Sequence, residues 1–100
     1  MITEAELLEH KWRKIEDKCW EKLGVRIEYP IIITAFPAIK ITYYINPKQE
    51  SSSAVYVSVS VNINTLEATI RTLIKGLFKV ELQKYPTTPK QKRTLKNWIL

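Results

Sequence analysis

Ala54-Val55-Tyr56-Val57-Ser58-Val59-Ser60-Val61-Asn62-Ile63 alternates apolar and polar residues without a break, and Asn64-Thr65-Leu66-Glu67 follows directly. A repeat of two is the mark of a strand with one buried face. Beyond it the spacing lengthens. Leu66, Ile70, Leu73, Leu77 and Val80, widened by Ile74, Phe78 and Tyr85, recur at steps of three and four, which is the helical period. Asn64 reads as the N-cap, with Glu67 completing a capping box, and Pro86 bounds the far end. The stretch thus predicts a strand over 54–63 and a helix over 65–84. That change of period makes the chain α+β.

Working back towards the N-terminus, Val25, Ile27 and Tyr29 alternate with Arg26 and Glu28, and Pro30 then predicts a bend or a sheet edge. The strand continues to Phe36, giving 25–36, and Pro37-Ala38 reads as a turn. Ile39, Ile41, Tyr43 and Ile45 mark a strand over 39–46, followed by a polar loop over 48–53. At the start of the chain Thr3 and Glu6 form a capping box, with Ile2 and Leu7 placed as a hydrophobic staple. Ala5, Leu8, Trp12, Ile15, Cys19 and Leu23 then fall on one helical face, and Gly24 reads as a left-handed cap, so a long helix is expected over 4–23. Towards the C-terminus Thr88, Pro89 and Gln91 open a short helix over 89–99 whose apolar residues are Leu95, Trp98, Ile99 and Leu100. The expected architecture is one domain, residues 1–100, with element order α-β-β-β-α-α. It is a two-layer α+β fold with helices packed on one face of a small, mostly antiparallel three-stranded sheet. Odd-numbered strand residues would face the helices. The opposite face would carry Thr42, Tyr44, Tyr56, Ser58, Ser60 and Asn62, with only Arg26, Glu28 and Lys40 charged, and so offers a surface for another subunit or for the tail.

Composition narrows the class. The 100 residues are 45% hydrophobic and 26% charged, which suits a single folded domain rather than a disordered chain. No uncharged apolar run approaches the ~18 residues of a membrane helix, and the acidic, polar start is not a signal peptide. A single cysteine, Cys19, excludes an internal disulfide, so a reduced, cytoplasmic protein is expected. The Ile- and Lys-rich, Gln-poor usage leans towards a thermophile. The net charge of +6 is uneven. Residues 1–24 hold six carboxylates and five bases, whereas Lys84, Lys90, Lys92, Arg93 and Lys96 occur in a tail with no acidic side chain.

Recognisable catalysis is absent from the pattern. His10 and Cys19, nine residues apart on the expected helix, would point to opposite sides, which leaves His10 solvated and Cys19 in the core. One histidine and one cysteine make no zinc-finger pattern, and two glycines make no phosphate loop. No catalytic residue, metal ligand or cofactor is expected.

Gly76 lies inside the expected helix, where glycine costs about 1 kcal/mol relative to alanine. Its surroundings read Arg71-Thr72-Leu73-Ile74-Lys75-Gly76-Leu77-Phe78-Lys79-Val80. This stretch resembles the active-site helix of a zincin metallopeptidase, an apolar run carrying His-Glu-x-x-His. The element order is similar to that of the smallest zincins, the minigluzincins and SprT-like domains. The resemblance covers most of the chain in topology and one helix in motif. It implies that Lys75 and Lys79 stand where the zinc-binding histidines would be and Gly76 where the general base would be. Lysine is cationic and glycine has no side chain, so such a relative would be catalytically dead. It also implies an extended-peptide groove along the strand from Ala54, with Tyr56, Ser58 and Ser60 as lining candidates and Lys75 and Lys79 as a basic floor. The α-β-β-β-α order resembles the double-stranded RNA-binding domain as well, but the lysine cluster that opens that family's last helix is replaced here by Asn64-Thr65-Leu66-Glu67.

Two functions compete on these grounds. The first is a non-catalytic module on a zincin-like scaffold, binding a peptide or protein or associating with itself. The alternative is a small basic nucleic-acid-binding protein, with Lys84, Lys90, Lys92, Arg93 and Lys96 contacting phosphates and Trp98 as a stacking ring.

Overall fold

A computed structural model describes residues 2–33, 36–43, 54–79 and 89–100. Its elements are α1 (Glu4–Glu9), β1 (Arg13–Glu16), β2 (Cys19–Lys22), β3 (Val25–Ile33), β4 (Phe36–Thr42), β5 (Ala54–Ser58), α2 (Ile63–Lys79) and α3 (Pro89–Lys96). The class is α+β as expected, but the sheet has five strands rather than three, in the order β1-β2-β3-β4-β5 with every neighbour antiparallel.

The two extra strands come from residues read as helix. The start of α1 follows the sequence, since Thr3 Oγ1 accepts from Glu6 N at 3.2 Å and Thr3 N donates to Glu6 Oε1 at 3.3 Å. The helix then ends at Glu9, not at residue 23. Lys11 takes φ +71°, Lys11 N donates to Leu8 O and Trp12 N donates to Leu7 O, which together form a Schellman stop. Chain reversal follows at Asp17-Lys18, with Lys18 at φ +62°, and β1 pairs with β2 through Arg13↔Glu21, Lys14↔Trp20 and Glu16↔Cys19. Of the expected helical stripe only Trp12 is buried. Leu8 is 61% exposed, whereas Ile2, Leu7 and Trp20, which lie off that stripe, are buried. Gly24 does adopt a left-handed conformation, φ +79°, but beside Leu23 at +47° in a two-residue turn between Lys22 and Val25. Positive φ at both central positions is the type I′ geometry that suits a hairpin.

Strand limits shift elsewhere. Pro37 and Ala38 lie inside β4, opposite Ile32 and Ile31, so the turn predicted there is replaced by paired strand. β3 is the middle strand, and Pro30, preceded by a cis peptide, coincides with a register irregularity between Glu28 and Ile31 rather than with an edge. β5 stops at Ser58, where Val61 N donates back to Ser58 O at 3.3 Å and the chain turns into α2. The cap of α2 is Asn62, whose Oδ1 accepts from Thr65 N at 2.8 Å, two residues before the expected Asn64. Residues 44–46, 80–88 and with them Thr88 and Lys84 lie outside the described set.

One core unites the layers. Val25, Ile27, Ile39 and Ile41 project from one sheet face and meet Leu66, Ile70, Ile74 and Leu77 of α2, Leu95 of α3, and Leu7, Trp12, Trp20 and Trp98. Val25 and Ile27 of β3, Ile39 and Ile41 of β4, and Val55 and Val57 of β5 therefore face the helices, as the odd-numbered alternation predicts. The outer face carries more charge than expected, because β1 and β2 add Arg13, Glu16 and Glu21 beside Arg26, Glu28 and Lys40. Among the described residues no helix is long and apolar enough to cross a membrane.

Candidate functional site

Two features of the helical layer bear chemistry. The first is a cluster around Glu67, a carboxylate standing within the apolar stripe of α2 between Ile63, Leu66 and Ile70 and only 8% exposed. His10 Nδ1 lies 2.8 Å from one of its oxygens and Lys22 Nζ 2.8 Å from the other. Lys22 also sits 5.2 Å from the Trp98 ring and 6.0 Å from that of Trp12, within cation–π range of both. The two indoles are 5.9 Å apart, tilted by 51°. Trp98 Nε1 donates to Leu23 O at 3.0 Å, and Arg71 Nε donates to Trp98 O at 3.0 Å. This cluster joins α1, β2, α2 and the turn after α3. Charge burial is offset here by two direct partners for the carboxylate and two ring faces for the ammonium. A histidine oriented by a carboxylate is half of a general-base arrangement. Among the described residues no three His, Cys, Asp or Glu side chains gather at metal-binding distance.

The second feature is cationic. Arg71, Lys75 and Lys79 follow one another at four-residue steps along α2 and are exposed, and Lys90, Lys92, Arg93 and Lys96 are exposed on α3. Arg71 Nε donates to the Trp98 carbonyl, which ties the turn after α3 to α2. Every described carboxylate side chain other than Glu67 belongs to α1 or the first three strands and the turn between them. Between the β2–β3 hairpin and α3 runs a cleft of about 250 Å³, with Glu21, Gly24 and Arg26 on one wall and Lys90, Thr94 and Leu95 on the other.

No protein-family model, curated protein or solved structure matches this chain.

The residues singled out from sequence fall as follows. Lys75, Gly76 and Lys79 share the exposed side of α2, and a Cβ placed on Gly76 would meet nothing within 4 Å. Tyr56 and Ser58 are on β5, with Tyr56 51% exposed, whereas Ser60 lies past its end and hydrogen-bonds Ser58 Oγ at 2.7 Å. Trp98 is 4% exposed and packed on Trp12, so its ring is enclosed rather than offered to a base. Lys84 is outside the described residues. Cys19 is not a helical core residue. It is half-buried in β2, in one row with Glu16 and Glu28, and burial followed by its carboxylate neighbours, against an opposing Arg26, pushes its thiol pKa up. His10 is no solvated helix residue either, since it caps α1 and contacts Glu67. Sequence reasoning missed the Glu67 cluster. The available signal was a carboxylate inside an apolar stripe, which was read as a cap.

Proposed function

We propose that this chain is a non-catalytic domain that binds the phosphate backbone of nucleic acid through the cationic surface of α2 and α3. The separation of charge carries this reading. Arg71, Lys75, Lys79, Lys90, Lys92, Arg93 and Lys96 occupy the two helices with no acidic side chain after Glu67 among the described residues, and Glu67 is itself buried and paired. Leu95 and Trp98 anchor α3 to the core, so its cations are held on a fixed scaffold. Fixed cations beside an enclosed rather than exposed tryptophan favour backbone contact over base stacking, hence little sequence preference.

Fluorescence anisotropy with short duplex and single-stranded oligonucleotides at two salt concentrations tests this. A log–log salt slope of about −3 to −5 is expected, since each neutralised phosphate contributes close to −0.9 for a duplex. Lys92→Glu, Arg93→Glu and Lys96→Glu together should abolish binding with the melting temperature retained. Absence of binding at low salt sinks the reading.

A second reading keeps the zincin-like scaffold and places an extended peptide along β5. The observation in its favour is that β5 ends the sheet and, among the described residues, pairs with β4 alone. Its test is titration with uncharged extended peptides.

A further inference from the structure

The outer face of the sheet has two unlike parts. Over β1 to β3 it is ionic, and Glu21 there is paired with both Arg13 and Arg26. Over β4 and β5 it carries no acidic residue. Lys40 stands opposite Tyr56 and Ala38 opposite Ser58, with Phe36 two positions further along β4. Both aromatic rings are open to solvent, Phe36 at 73% exposure and Tyr56 at 51%. Four strand positions separate the Lys40–Tyr56 pair from Phe36, a span of about 13 Å. Ala38 and Ser58 between them are small, so the surface from one ring to the other is level. Lys40 makes no ion pair among the described residues.

We infer that this part of the outer face is a stacking surface for single-stranded nucleic acid, with Phe36 and Tyr56 each taking a base and Lys40 contacting a phosphate. The backbone of β4 argues against a peptide. Its hydrogen-bonding groups are committed to β3 on one side and β5 on the other, so a peptide laid across the face finds no ladder to join. Charge argues against a second copy, since each chain carries +6 and the ionic side chains of β1 to β3 interrupt the face. A base asks for less. It needs only a ring face to stack on, and its phosphate meets the unpaired Lys40 ammonium. The spacing selects a single strand over a duplex. Bases within a duplex repeat every ~3.4 Å along each strand and stack on one another, whereas the two separated rings take bases that are already unstacked. The surface lies on the side of the sheet away from the core that α2 and α3 cover, so it is a contact additional to the function proposed above and does not rest on it.

Fluorescence anisotropy with a short labelled oligothymidylate, in an excess of unlabelled duplex that occupies the helical cations, is the test. The single strand should still bind when protein is carried to high concentration. Phe36→Ala and Tyr56→Ala should each weaken that binding about tenfold, as loss of one base stack does, with duplex affinity and melting temperature unchanged. Phe36→Trp should retain it. Lys40→Gln should flatten the log–log salt slope by about 0.7, the share of one phosphate on a single strand. In the wild-type chain, an oligonucleotide carrying iodouracil should cross-link to Phe36 or Tyr56 on illumination, a readout that needs no variant. Complete displacement of the single strand by duplex overturns the inference. So do alanine variants that bind as the wild type does, or cross-links confined to α2 and α3. A dimer that Phe36→Ala dissolves, or an uncharged extended peptide that displaces the single strand, gives the face to another occupant and overturns it as well. Single-strand binding through Phe36 without duplex binding refutes the helical reading and not this one, and duplex binding indifferent to Phe36 and Tyr56 with no retained single strand does the reverse.

Discussion

Glu67 holds His10 and Lys22 at 2.8 Å each, and all three side chains are at most one-third exposed. Glu67→Gln leaves the Lys22 ammonium between two indoles without its counter-charge. Removing one member of a buried pair costs about 3–5 kcal/mol, and the partial exposure of Lys22 places this case near 2–4. Urea unfolding should show that loss, and Lys22→Met with Glu67→Leu should recover much of it, because no uncompensated charge remains. A double variant as unstable as Glu67→Gln would show that packing rather than charge dominates. Cys19 gives a pH prediction. Burial raises its thiol pKa, so less thiolate is present at any given pH and alkylation at pH 8 should be slower than for a free thiol. The rate should climb only above the ordinary thiol range, and a fast reaction at neutral pH contradicts the placement. Glu67's position in the stripe was legible, but its partners are 57 and 45 residues away in the chain, a distance no local pattern spans.

At the scale of elements, the stop of α1 explains why a helix was expected through residue 23. Schellman stops usually announce themselves with glycine, and here Lys11 occupies the left-handed position. The helical spacing of Trp12, Ile15 and Cys19 then continued across the break by coincidence. Lys11→Gly should therefore stabilise the fold by up to about 1 kcal/mol, because glycine accepts positive φ without the steric cost. Gly76 is the opposite case. It lies in α2 with open space where a Cβ would go, so Gly76→Ala should raise stability by about 1 kcal/mol in thermal or urea unfolding. Loss of stability there would place an unseen neighbour against the helix. Gly24 did carry a legible signal, positive φ, and only the element it serves differed.

For the whole molecule, Trp98 is the pin that fixes α3. Its ring meets Trp12, its Nε1 meets Leu23 O and its carbonyl meets Arg71. Trp98→Ala should cost about 3–5 kcal/mol, as buried aromatic truncations do, and lower the melting temperature accordingly. A near-neutral result would mean that α3 contributes nothing to the core. The α+β class, the inward-facing Val25, Ile27, Ile39, Ile41, Val55 and Val57, the capped start of α1 and the amphipathic α2 were determined by the sequence alone. Each rests on periodicity or on a cap, and both are satisfied within a few residues. The five-stranded order, the hairpin of residues 13–22, the ion cluster and the docking of Trp98 on Trp12 and Leu23 were decided only by the tertiary structure. Those features depend on which distant surfaces meet. A left-handed lysine or a buried carboxylate is tolerated only once the fold supplies the contacts that offset its cost.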